Sequence, residues 1–201
     1  MPIRVVAFDM SKTYINVTKR VFYNELGRYF GVPSEKIRTR YHSTLEQLQT
    51  GRESENEFWT RFANGYGKEP DMNLIRGAIR ALYHGTKVMP GLDRLVRRLK
   101  RKYKVGMISN TDRYSYEVIK SHGWYRPFKP VVLSFKVGCS KPHKNVFRHF
   151  IRKSGAKPEE IVFIDNKMEN VRGARRAGMK AIHFRSARQT ERELRKMGVE
   201  I

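Results

Sequence analysis

Three polar side chains each stand directly after a short apolar run, and their types can support chemistry. Asp9, Ser109 and Asp165 follow runs that are typical of buried strands. A carboxylate held at the end of a strand is suited to nucleophilic attack. Ligand sites of parallel sheets form at the carboxyl ends of the strands, so we expect these three side chains to lie close together.

Lys141 is a further candidate for the same site. It has a simpler interpretation, and so do Asp9 and Ser109. Asp9 could cap a turn, Ser109 could satisfy the backbone at a strand end, and Lys141 could be an ordinary surface ion. Taken one at a time, the residues leave both interpretations open.

The elements that would position these residues alternate along the second half of the chain. Apolar runs predict strands at residues 3–8, 105–109, 130–133, 161–164 and 180–184. Helical spacing predicts helices at about residues 92–101, after Pro142, at 169–177 and at 189–197. Alternation of this kind predicts an α/β fold, with a Rossmann-like parallel sheet that carries helices on both faces.

Residues 14–88 contain no comparable strand signal and show helical spacing throughout. Ser54 and Glu57 form the pattern of a capping box ahead of a helix. We therefore expect an all-helical insert at 14–88 within a core made of residues 1–13 and 89–201.

Charge is the most unusual feature of the composition. The chain has 42 Lys+Arg and 19 Asp+Glu, a formal net charge of +23. The insert holds 12 basic and 8 acidic residues, whereas the rest of the chain holds 30 and 11. An excess of this size in one domain favours a polyanionic partner, with nucleic acid as the leading candidate. The residues predicted to bind RNA are Arg94, Arg97, Arg98, Lys100, Arg101, Lys102, Lys104, Arg172, Arg175 and Arg176.

Cysteine and hydropathy bear on the compartment. The single cysteine, Cys139, cannot form an internal disulfide, which fits a reducing environment. No window approaches 18 uninterrupted apolar residues, and the charged first twenty residues do not resemble a signal peptide. We expect a cytoplasmic protein without a membrane contact.

Four segments, taken in order, resemble the motifs of the haloacid dehalogenase-like superfamily. They are residues 5–13 (V-V-A-F-D-M-S-K-T, like D-x-D-G-T), 108–111 (I-S-N-T), 134–142 (S-F-K-V-G-C-S-K-P) and 164–170 (I-D-N-K-M-E-N, like D-D-x-x-x-N). The helical insert at 14–88 resembles the small cap of that superfamily. The resemblance covers nearly the whole chain.

The resemblance implies roles for five residues. Asp9 would attack phosphorus to give an aspartyl-phosphate. Ser109 and Thr13 would hold phosphate oxygens, and Lys141 would neutralise the developing charge. Asp9 and Asp165 would be the remaining, weak ligands for magnesium.

Two acidic positions of the family pattern are replaced. Ser11 stands where the family's phosphatases have the aspartate that protonates the leaving group, and Asn166 stands where they have a metal-binding aspartate. Serine cannot act as a general acid near neutral pH, and an amide oxygen is a weaker ligand for a hard cation. Lys12 also replaces the usual glycine. We expect Lys141 and Lys12 to offset the two remaining carboxylates without a metal ion.

These features support two main hypotheses. The favoured one is a repurposed HAD-like domain, its catalysis lost or impaired, that binds RNA as part of a ribosome or another ribonucleoprotein, with ribosomal RNA and ribosomal proteins as partners and no cofactor. The alternative is a phosphatase acting on a small phosphorylated substrate through Asp9, with magnesium as cofactor. Dehalogenation of a haloacid is a third, weaker hypothesis, because it does not explain the charge. The sequence does not indicate the oligomeric state.

Overall fold

The computed structural model describes residues 1–201, and a five-stranded parallel sheet forms its centre. The strands are β1 (Val5–Phe8), β2 (Lys104–Ser109), β3 (Val131–Leu133), β4 (Ile161–Asp165) and β5 (Lys180–His183), in the order β3-β2-β1-β4-β5. The helices are α1 (Arg20–Phe30), α2 (Ser34–Thr44), α3 (Glu46–Gln49), α4 (Glu55–Asn64), α5 (Met72–His84), α6 (Leu92–Leu99), α7 (Arg113–Ser121), α8 (Ser134–Val137), α9 (Lys144–Ser154), α10 (Met168–Arg176) and α11 (Ala187–Lys196). A 3₁₀ turn, Pro158–Glu160, precedes β4.

The central strand β1 shows why the sheet is covered on both faces. All four of its residues are fully buried. Because successive side chains of a strand point to opposite faces, Val6 and Phe8 join the core that α6, α11 and the insert cover, whereas Val5 and Ala7 join a smaller core beneath α9 and α10. This two-sided burial confirms the predicted α/β fold with a Rossmann-like sheet.

The register of the sheet aligns the strand ends that carry polar side chains. Phe8 pairs with Met107 on one side and with Ile164 on the other. The next residue, Asp9, donates its backbone N–H to the Ile164 carbonyl at 2.9 Å. Asp9 and Asp165 are therefore neighbours at the carboxyl edge.

Residues between β1 and α6 contribute helices α1 to α5 and no strand; two isolated bridges join Ile15 to Ser11 and to Val88. Aromatic side chains, among them Phe22, Phe58 and Trp59, fill the interior of this helical layer. Ser54 accepts from the Glu57 N–H while the Glu57 carboxylate accepts from the Ser54 N–H, which is the predicted capping box. The insert boundaries at 14 and 88 stay a prediction.

Element ends differ from the sequence expectations by one or two residues. Helix α6 ends at Leu99 rather than at 101, and α11 begins at Ala187 because Ser186 caps it by accepting from the Gln189 N–H. Such shifts are ordinary, since helix ends depend on local capping contacts that hydrophobic spacing does not encode.

Candidate functional site

The buried ammonium group of Lys141 joins the two carboxylates. Lys141 Nζ lies 2.5 Å from Asp9 Oδ1 and 2.8 Å from Asp165 Oδ2, and it also donates to the Ile108 carbonyl at 2.8 Å. The Lys141 side chain is 1% exposed and that of Asp165 is 0% exposed. All three donor positions of the ammonium are thus used, as a buried charge requires.

The loop that carries Lys141 is fixed by an amide side chain from the end of β2. Asn110 Nδ2 donates to the Lys141 carbonyl and Asn110 Oδ1 accepts from the Lys141 N–H, both at 2.9 Å. This paired contact sets where the lysine backbone sits relative to the sheet. Asn110 was not among the predicted site residues, although its place directly after Ser109 is a usable signal.

Asp165 has no free oxygen. Its Oδ1 accepts from the Lys167 N–H at 2.8 Å, and its Oδ2 accepts from Asn170 Nδ2 at 2.9 Å as well as from Lys141. Asn170, the last residue of the fourth motif, thereby holds Asp165 in place. Asp165 therefore helps to position Lys141, and its predicted role as a weak metal ligand stays a prediction.

Thr13 connects the Asp9 carboxylate with the residue that follows Asp165, since its side chain hydrogen-bonds to Asp9 and to Asn166. Its hydroxyl donates to Asn166 Oδ1 at 3.2 Å and accepts from the Asn166 N–H at 3.0 Å. Thr13 is fully buried and does not line the cavity beside Asp9. The contact with phosphate that the resemblance implies for Thr13 stays a prediction.

A cavity of about 870 Å³ lies between the sheet edge and the helical insert. Asp9, Ser109, Lys141 and Asp165 all line it, so the structure brings together four of the five residues predicted for the site. The insert contributes lining residues that sequence reasoning did not single out, and these are Lys19, Phe22, Tyr23, Arg38, Tyr41 and His42.

Burial raises the pKa of Asp9 from 3.8 to about 6, with Lys141 opposing this effect and Asp165 adding to it. Asp9 is nevertheless ionised at pH 7. Lys141 stays charged: burial lowers its pKa, but Asp165 and Asp9 outweigh that effect and leave it raised. One oxygen of Asp9, Oδ1, is held by Lys141, and a hydrogen bond with the Thr13 side chain also lowers the pKa of Asp9.

His42 lines the same cavity as Ser11, but it does not supply the proton donor that Ser11 cannot provide. Partial burial and the charge of Lys19 lower the pKa of His42 to about 4, so its ring is neutral at pH 7. The ring also contacts Tyr23 Oη through Nε2 at 2.9 Å.

The oxygen donors present fit magnesium poorly. Both oxygens of Asp165 are used, the Asn166 amide oxygen accepts from Thr13, and no group of three or more His, Cys, Asp or Glu side chains in the chain could hold a metal ion. A hard cation prefers several carboxylate oxygens. We expected Lys12 to neutralise one of the two carboxylates alongside Lys141. It does not, because it is exposed and forms no ion pair with Asp9 or Asp165.

Several of the predicted RNA-binding residues have partners within the chain. Arg97 pairs with Asp93 at 2.6 Å, Arg98 with Glu191 at 3.1 Å, and Lys102 with Glu200. Arg175 donates to the Ala181 carbonyl. Acidic neighbours thus partly neutralise Arg97 and Arg98 of α6 and the nearby Lys102, whereas the charge of Arg175 on α10 stays unpaired.

Comparison with known families identifies the fold. A family model described as haloacid dehalogenase-like hydrolase matches residues 3–178. The chain belongs to this family. Proteins described as HAD family members also occur among its structural neighbours.

Among curated proteins, the chain is 31% identical over 140 residues to the glyceraldehyde 3-phosphate phosphatase of Methanopyrus kandleri, covering 64% of the chain and 58% of that protein. The protein of the same name from Pyrococcus furiosus is 24% identical over 208 residues, covering 96% and 85%. The chain spans little more than half the length of the first two curated relatives, 58% and 54%.

Solved structures agree on the architecture. A HAD-like family hydrolase of Porphyromonas gingivalis superposes with a TM-score of 0.79 at 23% identity over 100% of both chains. A HAD family enzyme of Bacteroides thetaiotaomicron, crystallised with magnesium and inorganic phosphate, gives a TM-score of 0.73 at 20% identity over 92% of this chain and 95% of that one. At these identities the likeness shows the fold. Magnesium occurs in such a neighbour, which agrees with magnesium as the cofactor of a catalytic member.

These relatives contradict the RNA-binding hypothesis. Curated relatives of this HAD chain are named as phosphatases, so the ribosomal or ribonucleoprotein function predicted from charge is wrong. The error arose because net charge reports on the surface as a whole, whereas the reaction is set by a few buried groups. Partners of the chain stay untested. No helix combines the length and the apolar character that a membrane crossing requires.

Proposed function

We propose that this chain hydrolyses small phosphomonoesters through an aspartyl-phosphate on Asp9. The observation that carries the proposal is the Asp9 carboxylate, ionised at pH 7 and fixed by the buried Lys141 on the wall of a cavity of about 870 Å³. A cavity of this size suits a small ligand. The phosphatase names of the curated relatives support the same reaction.

The proposed reaction has two steps. Asp9 Oδ2 forms a bond to phosphorus while the bond from phosphorus to the ester oxygen breaks, and the ester oxygen leaves as an alkoxide or phenoxide that takes a proton from solvent. Water then attacks the phosphorus of the aspartyl-phosphate, which releases inorganic phosphate and restores the Asp9 carboxylate. The Lys141 ammonium stabilises the negative charge beside Asp9 in both steps.

Because Ser11 cannot donate a proton to the leaving group, the rate of hydrolysis should depend strongly on how well the leaving group departs without protonation. We expect p-nitrophenyl phosphate, whose phenoxide needs no protonation, to turn over faster than glycerol 3-phosphate by about 100-fold or more, the usual contribution of a general acid. Ser11→Asp should reduce this ratio of rates, because an aspartic acid at position 11 can protonate the alkoxide and so speed up hydrolysis of glycerol 3-phosphate. Steady-state kinetics with both esters measures the ratio.

Two variants complete this experiment. Asp9→Asn should abolish both activities, and Asn73→Asp, which adds a carboxylate on the exposed first turn of α5, should leave the ratio unchanged. Absence of any Asp9-dependent turnover of p-nitrophenyl phosphate by the unmodified protein would overturn the proposed function.

Asn166→Asp tests the interpretation of the metal ligands independently of turnover. The variant adds a carboxylate directly after Asp165, on the wall of the cavity that Asp9 also lines, so magnesium should bind more tightly than to the unmodified protein. Calorimetric titration with magnesium chloride measures both affinities, with Asn73→Asp as the control. Equal affinities would show that position 166 does not limit metal binding.

A further inference from the structure

A group of lysines lines the same cavity as Asp9 without taking part in the Lys141 contacts. Lys12, Lys19 and Lys167 all border the cavity. The side chains of Lys12 and Lys19 form no ion pair, and that of Lys167 has only an exposed contact with Glu169 at 3.6 Å. We call these three residues the lysine cluster.

Lys19 is the least exposed member of the lysine cluster, so its charge is the least favourable of the three. It is half-buried, and its Nζ lies 4.9 Å from the centre of the Tyr41 ring. Burial lowers its pKa from 10.5 to about 8; Asp112 opposes this effect, and the charges of Lys167 and Lys12 add to it. A half-buried ammonium group that other cations repel becomes more favourable when an anion binds near it.

Lys12 has a strained backbone conformation, and this strain is independent of the charge of Lys19. It has a φ of 61°, in the left-handed region, and is the only residue other than glycine with a positive φ. For a side chain with a Cβ this conformation costs roughly 1–2 kcal/mol. Strained positions of this kind cluster at binding and active sites. A lysine at a position that suits glycine therefore points to a use for its charge.

Nearby carboxylates neutralise the lysine cluster only in part: Asp112 acts on Lys19 and Glu169 lies beside Lys167. Glu35 is paired with Arg38, and Glu46 lies 3.7 Å from His143. Asp112 caps α7 by accepting from the Ser115 N–H at 2.8 Å. Asp112 and Glu169 thus offset the charge of the lysine cluster only in part, and none of the three lysines has a buried ion pair.

We propose that the lysine cluster binds a second anionic group of the substrate. The substrate class is then a phosphomonoester that carries an additional carboxylate or phosphate, with its reacting phosphate at Asp9 and its second anion at Lys12, Lys19 and Lys167. This inference rests on the proposed function. It also separates the chain from its curated relatives named for glyceraldehyde 3-phosphate, which has no second anionic group.

The test measures binding in the Asp9→Asn variant, where no turnover interferes. The first ligand pair is 3-phosphoglycerate and glycerol 3-phosphate, which share a three-carbon skeleton and differ in one carboxylate. The second pair is fructose 1,6-bisphosphate and fructose 6-phosphate. Calorimetry should show about tenfold or greater preference for the ligand with the second anion in at least the first pair, as expected for one charge-assisted contact.

Substitutions in the lysine cluster test whether these lysines cause the preference for the ligand with a second anion. Lys19→Gln removes the half-buried charge, and Lys12→Asn removes the exposed one while keeping a residue that tolerates a left-handed backbone. Each should reduce the preference severalfold and leave the affinity for glycerol 3-phosphate nearly unchanged. Lys153→Gln, an exposed lysine at the end of α9, is the control and should behave like the Asp9→Asn background.

Binding and turnover test the two proposals separately. Equal affinities for the two ligands of the first pair, a preference that survives both Lys12→Asn and Lys19→Gln, or no binding of any ligand would each overturn the substrate class. Failure of the unmodified protein to hydrolyse p-nitrophenyl phosphate would instead overturn the proposed function, whatever the binding data show.

Discussion

At the scale of single residues, the site is governed by how Asp9 shares Lys141 with Asp165. Burial raises the pKa of Asp9 to about 6, whereas Lys141 keeps that pKa from rising further. The proposed nucleophile is the ionised form. Because the folded chain holds the Asp9 proton more tightly than the unfolded chain does, this group lowers the free energy of unfolding as pH rises from 3.8 to about 6.

The rate of p-nitrophenyl phosphate hydrolysis should therefore rise as pH increases through about 6, since Asp9 must lose its proton to attack. Asp165→Asn removes the neighbouring negative charge that raises this pKa, so the midpoint should move below 6. A pH–rate profile of each protein measures the two midpoints. A profile that stays flat from about pH 5 to 8 in both proteins would contradict this account of Asp9.

The backbone at Lys12 allows a prediction about stability. Lys12→Gly removes the penalty of a left-handed backbone, so the free energy of unfolding should increase by about 1 kcal/mol. Denaturant unfolding measures the change. Lys87→Gly, an exposed lysine without a positive φ, is the matched control and should lower stability because glycine gains freedom in the unfolded chain. A loss of stability in Lys12→Gly would show that its side chain outweighs the strain.

At the scale of elements, close packing of helices on the sheet sets where the strand ends lie. Gly106 sits within β2, and a Cβ added there would meet the Phe150 ring at 2.6 Å and the Pro130 carbonyl oxygen at 2.8 Å. Helix α9 can therefore approach β2 only over a glycine. This approach helps to fix the strand that ends at Ser109.

Gly106→Ala should lower the free energy of unfolding by about 1–3 kcal/mol, the usual cost of overpacking. Gly77→Ala in α5 has nothing nearer to the added Cβ than Arg80 Nη2 at 4.0 Å, and should instead raise it by about 0.5–1 kcal/mol. Chemical denaturation of the two variants provides a paired comparison. Equal effects would mean that β2 moves to accommodate the extra methyl group.

At the scale of the whole molecule, the net charge of +23 is the dominant property. Many of its ion pairs are exposed, including Arg28–Glu25 and Arg97–Asp93, and such pairs contribute little to stability. Self-repulsion among the remaining cations destabilises the compact chain. Anions in solution should offset this repulsion.

The midpoint of thermal unfolding should therefore rise as sodium chloride increases from about 10 mM to 150 mM, where the screening length falls from about 30 Å to about 8 Å. Differential scanning calorimetry measures the midpoints. Replacing two exposed lysines without ion-pair partners, Lys100→Glu and Lys153→Glu, should raise the midpoint at low salt and reduce its salt dependence. A midpoint that falls with salt would show that attractive pairs outweigh the repulsion.

The sequence determined the parallel sheet, the helical insert and the meeting of Asp9, Ser109 and Asp165, because strand patterning and strand ends are local signals that the topology of an α/β sheet converts into one edge. It also showed serine at position 11, where the resemblance to the family led us to expect an aspartate. Net charge, in contrast, led to the wrong function, because it does not state which cations face a cavity.

Only the tertiary structure decided how the charges are arranged. It placed Lys141 between two carboxylates that lie 132 and 24 residues away, turned Thr13 toward Asn166, and left Lys12 outside the Asp9 contacts. It also brought Lys19, which directly precedes α1, to the wall of the cavity beside Asp9. These contacts depend on burial and on the packing of the insert against the sheet edge, and neither follows from the spacing of residues along the chain.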